Sequence, residues 1–315
     1  MKAFACDHYA LPLPPGHRFP IEKYRLLREA VVASGLVAGE DLLVPEPATD
    51  EQILRAHERT YLENVKMGRL TEKELRRIGL PWSPELVRRT RCSIGGTIAA
   101  CRAALRDGVA ANLAGGTHHA FRDHGQGYCV FNDSVIAVRA LQVDNRIERA
   151  VILDGDVHQG NGTAAMAADD PTIFTFSVHG ERNFPLRKER SDLDIGLEDG
   201  TGDVGYLDAW ESGLQEALRR SRADLAIFLA GADPHHGDRL GRLAVSKAGL
   251  AVRDGLVFEL CGQAGLPVAA VMAGGYGRRV EDTVQIHLQT VQAAVAAAAR
   301  FSGRPVEGRG GRRIG

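Results

Sequence analysis

Short apolar runs separated by helical stretches constrain this chain more than any other feature. They fall at Lys2–Cys6, Val109–Leu113, Ala150–Leu153, Thr172–Ser177, Leu225–Ala230 and Pro267–Met272. Several are continuous rather than alternating, the pattern of parallel strands buried on both faces. Phe19–Ser34 carries Ile21, Tyr24, Leu27 and Val31 at helical spacing, with Pro20 near its start and Gly35 at its end. Asp50–Met67 follows Thr49, with Gln52 three residues later, a capping-box pattern. Ser83–Leu105 opens on Ser83-Pro84 and contains Gly95-Gly96, a pair that weakens a helix and predicts close packing. Strands alternating with helices predict an α/β fold, a mainly parallel sheet flanked by helices. A chain of 315 residues suffices for one such domain. We expect it over residues 1–302, with a flexible Gly/Arg-rich tail over 303–315.

Charge and cysteine content narrow the setting. Against 40 acidic residues stand 39 basic ones, a net charge of -1, so there is no reason to expect a nucleic-acid or anionic-membrane partner. The five cysteines form no C-x-x-C pair, and reduced thiols in a cytoplasm are the simplest expectation. The N-terminus lacks the apolar run of a signal peptide. No stretch approaches the roughly 20 apolar residues of a membrane span.

The unusual polar residues fall where four of the expected strands end. Val109–Leu113 leads to Gly115-Gly116-Thr117-His118-His119, and Ala150–Leu153 to Asp154-Gly155-Asp156-Val157-His158. Leu225–Ala230 leads to Gly231-Ala232-Asp233, and Pro267–Met272 to Gly274-Gly275-Tyr276. Open α/β sheets bind ligands beyond the carboxyl ends of their strands. In extended chain Asp154, Asp156 and His158 point the same way. Carboxylate and imidazole suit zinc, and Asp156, His158 and Asp233 would leave one position open for water and substrate. Read alone, the same motif also fits helix capping by the aspartates beside a packed histidine. The His118-His119 pair can move protons near neutral pH, and the Tyr276 phenol can donate to an oxyanion. His57 reads as packed against Tyr61, His179 as a candidate lining residue, and His235 and His236 as loop residues.

These segments, with Gly127-Tyr128-Cys129-Val130-Phe131-Asn132-Asp133 and Gln159-Gly160-Asn161-Gly162-Thr163, resemble the histone deacetylase family of the arginase/deacetylase superfamily. They appear in family order across nearly the whole chain. Gln159, Gly237-Asp238-Arg239-Leu240-Gly241 and Ala273-Gly274-Gly275-Tyr276 are most similar to the class IV branch and its bacterial relatives.

The resemblance implies zinc held by Asp156, His158 and Asp233. It makes His119 the general base and then acid, and His118 an electrostatic partner oriented by Asp154. Asn161 stands where some members carry an aspartate behind the second histidine, and an amide raises that ring's pKa less than a carboxylate. Tyr276 becomes the oxyanion donor. Gly127, Tyr128, Phe184 and Gly274 line the substrate, and a structural potassium is expected near Asp154, Asp156 and Ser177. The aspartate with which class I members grip the substrate backbone has no counterpart around Ile78–Pro84. The implied activity is hydrolysis of N-acyl-lysine in proteins, acetyl or longer. The alternatives are hydrolysis of small acylated amines such as acetylpolyamines, and a non-catalytic metal- or acyl-binding scaffold. Arg187, Lys188 and Arg190 beside Glu189 oppose a polyamine.

Overall fold

A computed structural model describes residues 1–8 and 11–302. Its strands are β1 (Ala3–Phe4), β2 (Leu42–Leu43), β3 (Val109–Asn112), β4 (Ala150–Asp154), β5 (Ile173–Gly180), β6 (Leu193–Leu197), β7 (Leu225–Leu229) and β8 (Val268–Val271). Its helices are α1 (Glu22–Ser34), α2 (Asp50–Leu54), α3 (Arg59–Met67), α4 (Glu72–Ile78), α5 (Pro84–Asp107), α6 (Asp133–Val143), α7 (Asn161–Ala167), α8 (Asp203–Ser221), α9 (Lys247–Gln263) and α10 (Val280–Ser302). All eight strands join one parallel sheet in the order β2-β1-β3-β8-β7-β4-β5-β6. The segment 303–315 lies outside the described residues.

The continuous apolar runs divide between two cores. In β7, Leu225, Ile227 and Leu229 pack with α5 and α6, while Ala226 and Phe228 pack with α8 and α9 on the other face. In β4, Ile152 and Val151 divide in the same way. Alternate residues point to opposite faces, so a strand covered on both sides must be apolar throughout. The two strands missing from the sequence reading, β2 and β6, are the edge strands. Half-buried and exposed positions alternate along Leu193–Leu197, so it carries no continuous apolar run to find.

One expected helix divides. Thr49 and Gln52 do form a capping box, but the helix stops at Leu54 and resumes at Arg59. The cause is a competing partner: Glu58 N donates to Arg122 O (2.9 Å), and His57 Nε2 accepts from Asn132 N (2.9 Å). His57 thereby packs between Tyr61 and Phe131 rather than facing any cavity. The close packing expected at Gly95-Gly96 is present. A Cβ on Gly95 would strike the Glu46 carbonyl, and one on Gly96 would meet the Asn112 side chain at 2.7 Å. Helix α5 therefore lies directly on β3.

Candidate active site

The four strands that end in polar clusters are neighbours in the sheet, in the order β3-β8-β7-β4. Their carboxyl-end loops interlock through backbone donors and side-chain acceptors. Val157 N donates to Asp233 Oδ1 (2.9 Å), and Gly274 N donates to Asp156 Oδ2 (2.6 Å). A Cβ at position 274 would collide with both carboxylates, so this backbone can approach only as glycine. The loop bearing His118 and His119 is held by buried Asp133, which accepts from Gly116 N (3.1 Å), Thr117 N (2.7 Å) and Thr97 Oγ1 (2.5 Å). From below, the fully buried Arg253 guanidinium donates to Gly231 O (2.7 Å) and Gly155 O (3.0 Å). It thus ties the β4 and β7 loops to α9.

At the centre, ligand atoms of Asp156, His158 and Asp233 lie within 4.8 Å of one another, all buried. His158 Nδ1 is 2.9 Å from Asp156 Oδ1 and 3.2 Å from Asp233 Oδ2. It is aimed at the first, and Asp233 Oδ2 accepts no hydrogen bond. Ligands about 2.0–2.2 Å from a tetrahedral zinc stand roughly 3.3 Å apart, close to this spacing. Burial and the neighbouring Asp156 charge push the Asp233 carboxyl up to about 7. Burial also pushes Asp156 up, but the His118 and His158 imidazoles hold it well below the usual carboxylate range. His158 is raised to about 10: burial opposes its charge, but the two carboxylates outweigh that. Two desolvated carboxylates facing one imidazole nitrogen, with an unsatisfied oxygen, fit a divalent cation held by these three side chains.

The two adjacent histidines occupy different environments. Their ring centroids are 4.1 Å apart. His118 Nδ1 donates to Asp154 Oδ2 (2.6 Å); burial lowers its pKa, but Asp154 and Asp156 raise it to about 9. His119 Nδ1 donates to Asn161 Oδ1 (2.7 Å), whose Nδ2 donates to Gln126 Oε1 (3.0 Å). With no carboxylate behind it, burial and the charges on His118 and His158 hold His119 well below the usual histidine range. One ring is therefore a cation and the other a neutral base with Nε2 free. Tyr276 is set by Asp238, whose Oδ2 accepts from Tyr276 N (2.5 Å), and its ring lies 6.3 Å from that of His158. Burial keeps the Tyr276 phenol protonated, hence a donor.

Above this floor a cavity of about 470 Å³ opens outward past His119, Tyr128, His158, Phe184 and Tyr276. Tyr128 reaches it from a left-handed conformation (φ 65°), held by bonds from its N to Ile78 O (2.6 Å) and from Gly127 N to Arg77 O (3.1 Å). The Phe184 ring, also in the lining, stands 4.9 Å from that of His119. A second, smaller cavity of about 50 Å³ shares His119, Tyr128, His158 and Tyr276 with the first. Buried Lys23 of α1 and Arg89 of α5 reach it, and Lys23 Nζ donates to Ala273 O (3.1 Å).

His118, His119, Asp154, Asp156, His158, Asp233 and Tyr276 are thus brought together at one end of the sheet. Asp154 and Ser177 are register partners on adjacent strands. His179 lines neither cavity; its Nδ1 meets Ser177 Oγ (2.9 Å), and burial lowers it to about 4. His235 and His236 lie in the β7–α9 loop with their rings 4.2 Å apart and tilted by 45°. Sequence reading missed Lys23, Arg89, Gln126 and Arg253. Only Lys23 left a trace, as a cation on the apolar face of a helix beside Tyr24 and Leu27.

Among the described residues no helix is long and apolar enough to cross a membrane. Residues 17–291 match the histone deacetylase domain. A protein of Picosynechococcus sp. strain PCC 7002 is 46% identical over 279 residues, covering 89% of this chain and 93% of its own length. The histone deacetylase-like amidohydrolase of Pseudomonas aeruginosa is 30% identical over 283 residues, covering 84% and 74%. A solved histone deacetylase homolog from Aquifex aeolicus shares the fold with a TM-score of 0.80 at 23% identity, over 97% of this chain and 84% of that one. A domain match across most of the chain, on the fold that assembles these strand-end residues, means that the chain belongs to the histone deacetylase family of hydrolases.

Proposed function

We propose that this protein is a zinc-dependent deacylase that hydrolyses the amide of N-acyl-lysine, acetyl or longer, in proteins. The observation that carries this reading is the placement of His158 Nδ1 against two buried carboxylates, beside a neutral His119 and at the foot of an open cavity. Zinc held by Asp156, His158 and Asp233 supplies a Lewis acid for the amide carbonyl. His119 Nε2 takes the proton of the attacking water and returns it to the departing amine. Asn161 fixes the tautomer that makes this possible, and Asp154 keeps His118 cationic beside the developing negative charge. The Tyr276 hydroxyl donates to the oxyanion. Tyr128 and Phe184 flank the acyl-lysine stem, with Gly127 and Gly274 as close backbone contacts. A structural potassium beside Asp154, Asp156 and Ser177 belongs to the same reading, supported by the adjacency of Asp154 and Ser177.

The test is a panel of acetyl-, butyryl- and longer acyl-lysine peptides, with acetylated spermidine, given to the zinc-loaded protein. At least one peptide should release its carboxylate, and a hydroxamate should block that release. Turnover of the polyamine alone would replace the substrate class. Turnover of nothing by folded, zinc-bound protein would overturn the proposal.

A further inference from the structure

The mouth of the cavity carries charge of one sign. Arg76, Arg77, Arg182 and Arg242 line it, and no aspartate or glutamate does. The protein as a whole has a net charge of -1, so this concentration is local. The four cations come from three separate segments: the end of α4, the loop after β5 and the loop before α9. Arg18 and Arg239 add to the field, since both act on the Tyr128 phenol. Two of the four are paired with a carboxylate and two are not. Arg76 pairs with Glu72 and Arg242 with Asp199, both on the exposed surface. Glu74 feels Arg77, but its carboxylate is committed to the Thr71 capping box. Arg77 and Arg182 make no ion pair among the described residues. Moreover, Ile78–Pro84 holds no acidic side chain that could grip a substrate backbone.

From this arrangement, and resting on the deacylase reading, we infer that the mouth selects acyl-lysines that stand among acidic side chains of a protein substrate. The acyl-lysine stem is apolar, and once acylated it carries no charge for the tunnel to read. Discrimination must then come from what surrounds it. Arginines from three segments at one opening match several carboxylates along an extended segment better than one carboxylate on a small molecule. A like-signed, lysine-rich flank meets the same field as repulsion. Guanidinium also pairs bidentately with carboxylate, which adds geometry to attraction.

The experiment uses the zinc-loaded full chain and three peptides with the same acyl-lysine, flanked on both sides by Glu, Gln or Lys. At low ionic strength kcat/KM should be about tenfold or more higher for the Glu peptide than for the Lys peptide. The ratio should shrink toward one as salt rises, because exposed charges are screened. In the double variant R77E/R182E the order should invert. Each variant is scored by the ratio between its own peptides, so a general loss of activity does not obscure the result, and melting temperature reports folding. A Glu-to-Lys ratio within about twofold of one, or an order unchanged in R77E/R182E, would overturn the inference. If a N-acetylated small carboxylate inhibits as well as the Glu peptide binds, the mouth reads a single carboxylate and the protein-segment form of the inference fails. Absence of turnover on all three peptides would instead count against the deacylase reading, and the inference would fall with it.

Discussion

The floor and the mouth of the cavity differ in almost every physical respect. The floor is buried, built from carboxylates and imidazoles, and each side chain is held by at least one backbone or side-chain partner. The mouth is exposed and carries four arginines, two of them paired only with surface carboxylates. Low dielectric at the floor makes each charge expensive, so charges there are paired or shared, and removing one leaves its partner stranded. Solvent at the mouth makes charge cheap and its effects small, additive and sensitive to salt. The two regions divide the work: the floor can carry chemistry and the mouth can carry preference.

Substitutions at the two regions test that contrast. The largest effect is expected at the metal ligands. Asp156→Ala, His158→Ala or Asp233→Ala should abolish both bound zinc and turnover. Elemental analysis finding full zinc in all three would remove them as ligands. Next comes His119→Ala, which should lower kcat by about 10²–10⁴-fold with zinc retained, since both proton transfers are lost. His118→Ala should cost less. The reverse order, with zinc intact in both, would exchange their roles.

Tyr276→Phe removes one hydroxyl and should lower kcat by about 10²–10³-fold with little change in KM. A loss below about threefold in a folded, zinc-loaded protein would place that hydroxyl outside the reaction. Smaller again is the floor's outer support. Arg253→Met removes the donors to Gly155 O and Gly231 O while keeping apolar bulk. We expect zinc affinity to fall about 10–100-fold, measured by competition with a chelator. Unchanged affinity with a lowered melting temperature would make Arg253 a packing residue only. At the mouth, Arg76→Gln breaks an exposed pair with Glu72 and should change stability by no more than about 0.5 kcal/mol in denaturant unfolding. A loss several times larger would show that the mouth is built like the floor.

Legibility from sequence followed the same division. The strands buried on both faces were readable because burial on two sides excludes polar residues, whereas Leu193–Leu197 at the sheet edge alternates and was missed. The floor residues were readable because they crowd against strand ends in small, Gly-rich clusters. Arg253 was not, since a lone arginine within Lys247–Gln263 looks like any solvated helix residue until the fold buries it. The break between α2 and α3 was also invisible, because it depends on a partner, Arg122, far along the chain.

The α/β alternation, the strand ends that bear chemistry and the family motifs can all be read from the order of residues, because each is local in the chain. Folding alone sets β3, β8, β7 and β4 side by side, so that four separate clusters meet at one point. It also lets arginines from three segments share one opening. Strands pair through backbone groups that every residue carries, and exposed arginines look alike wherever they fall. Adjacency of that kind leaves no mark in the order of side chains.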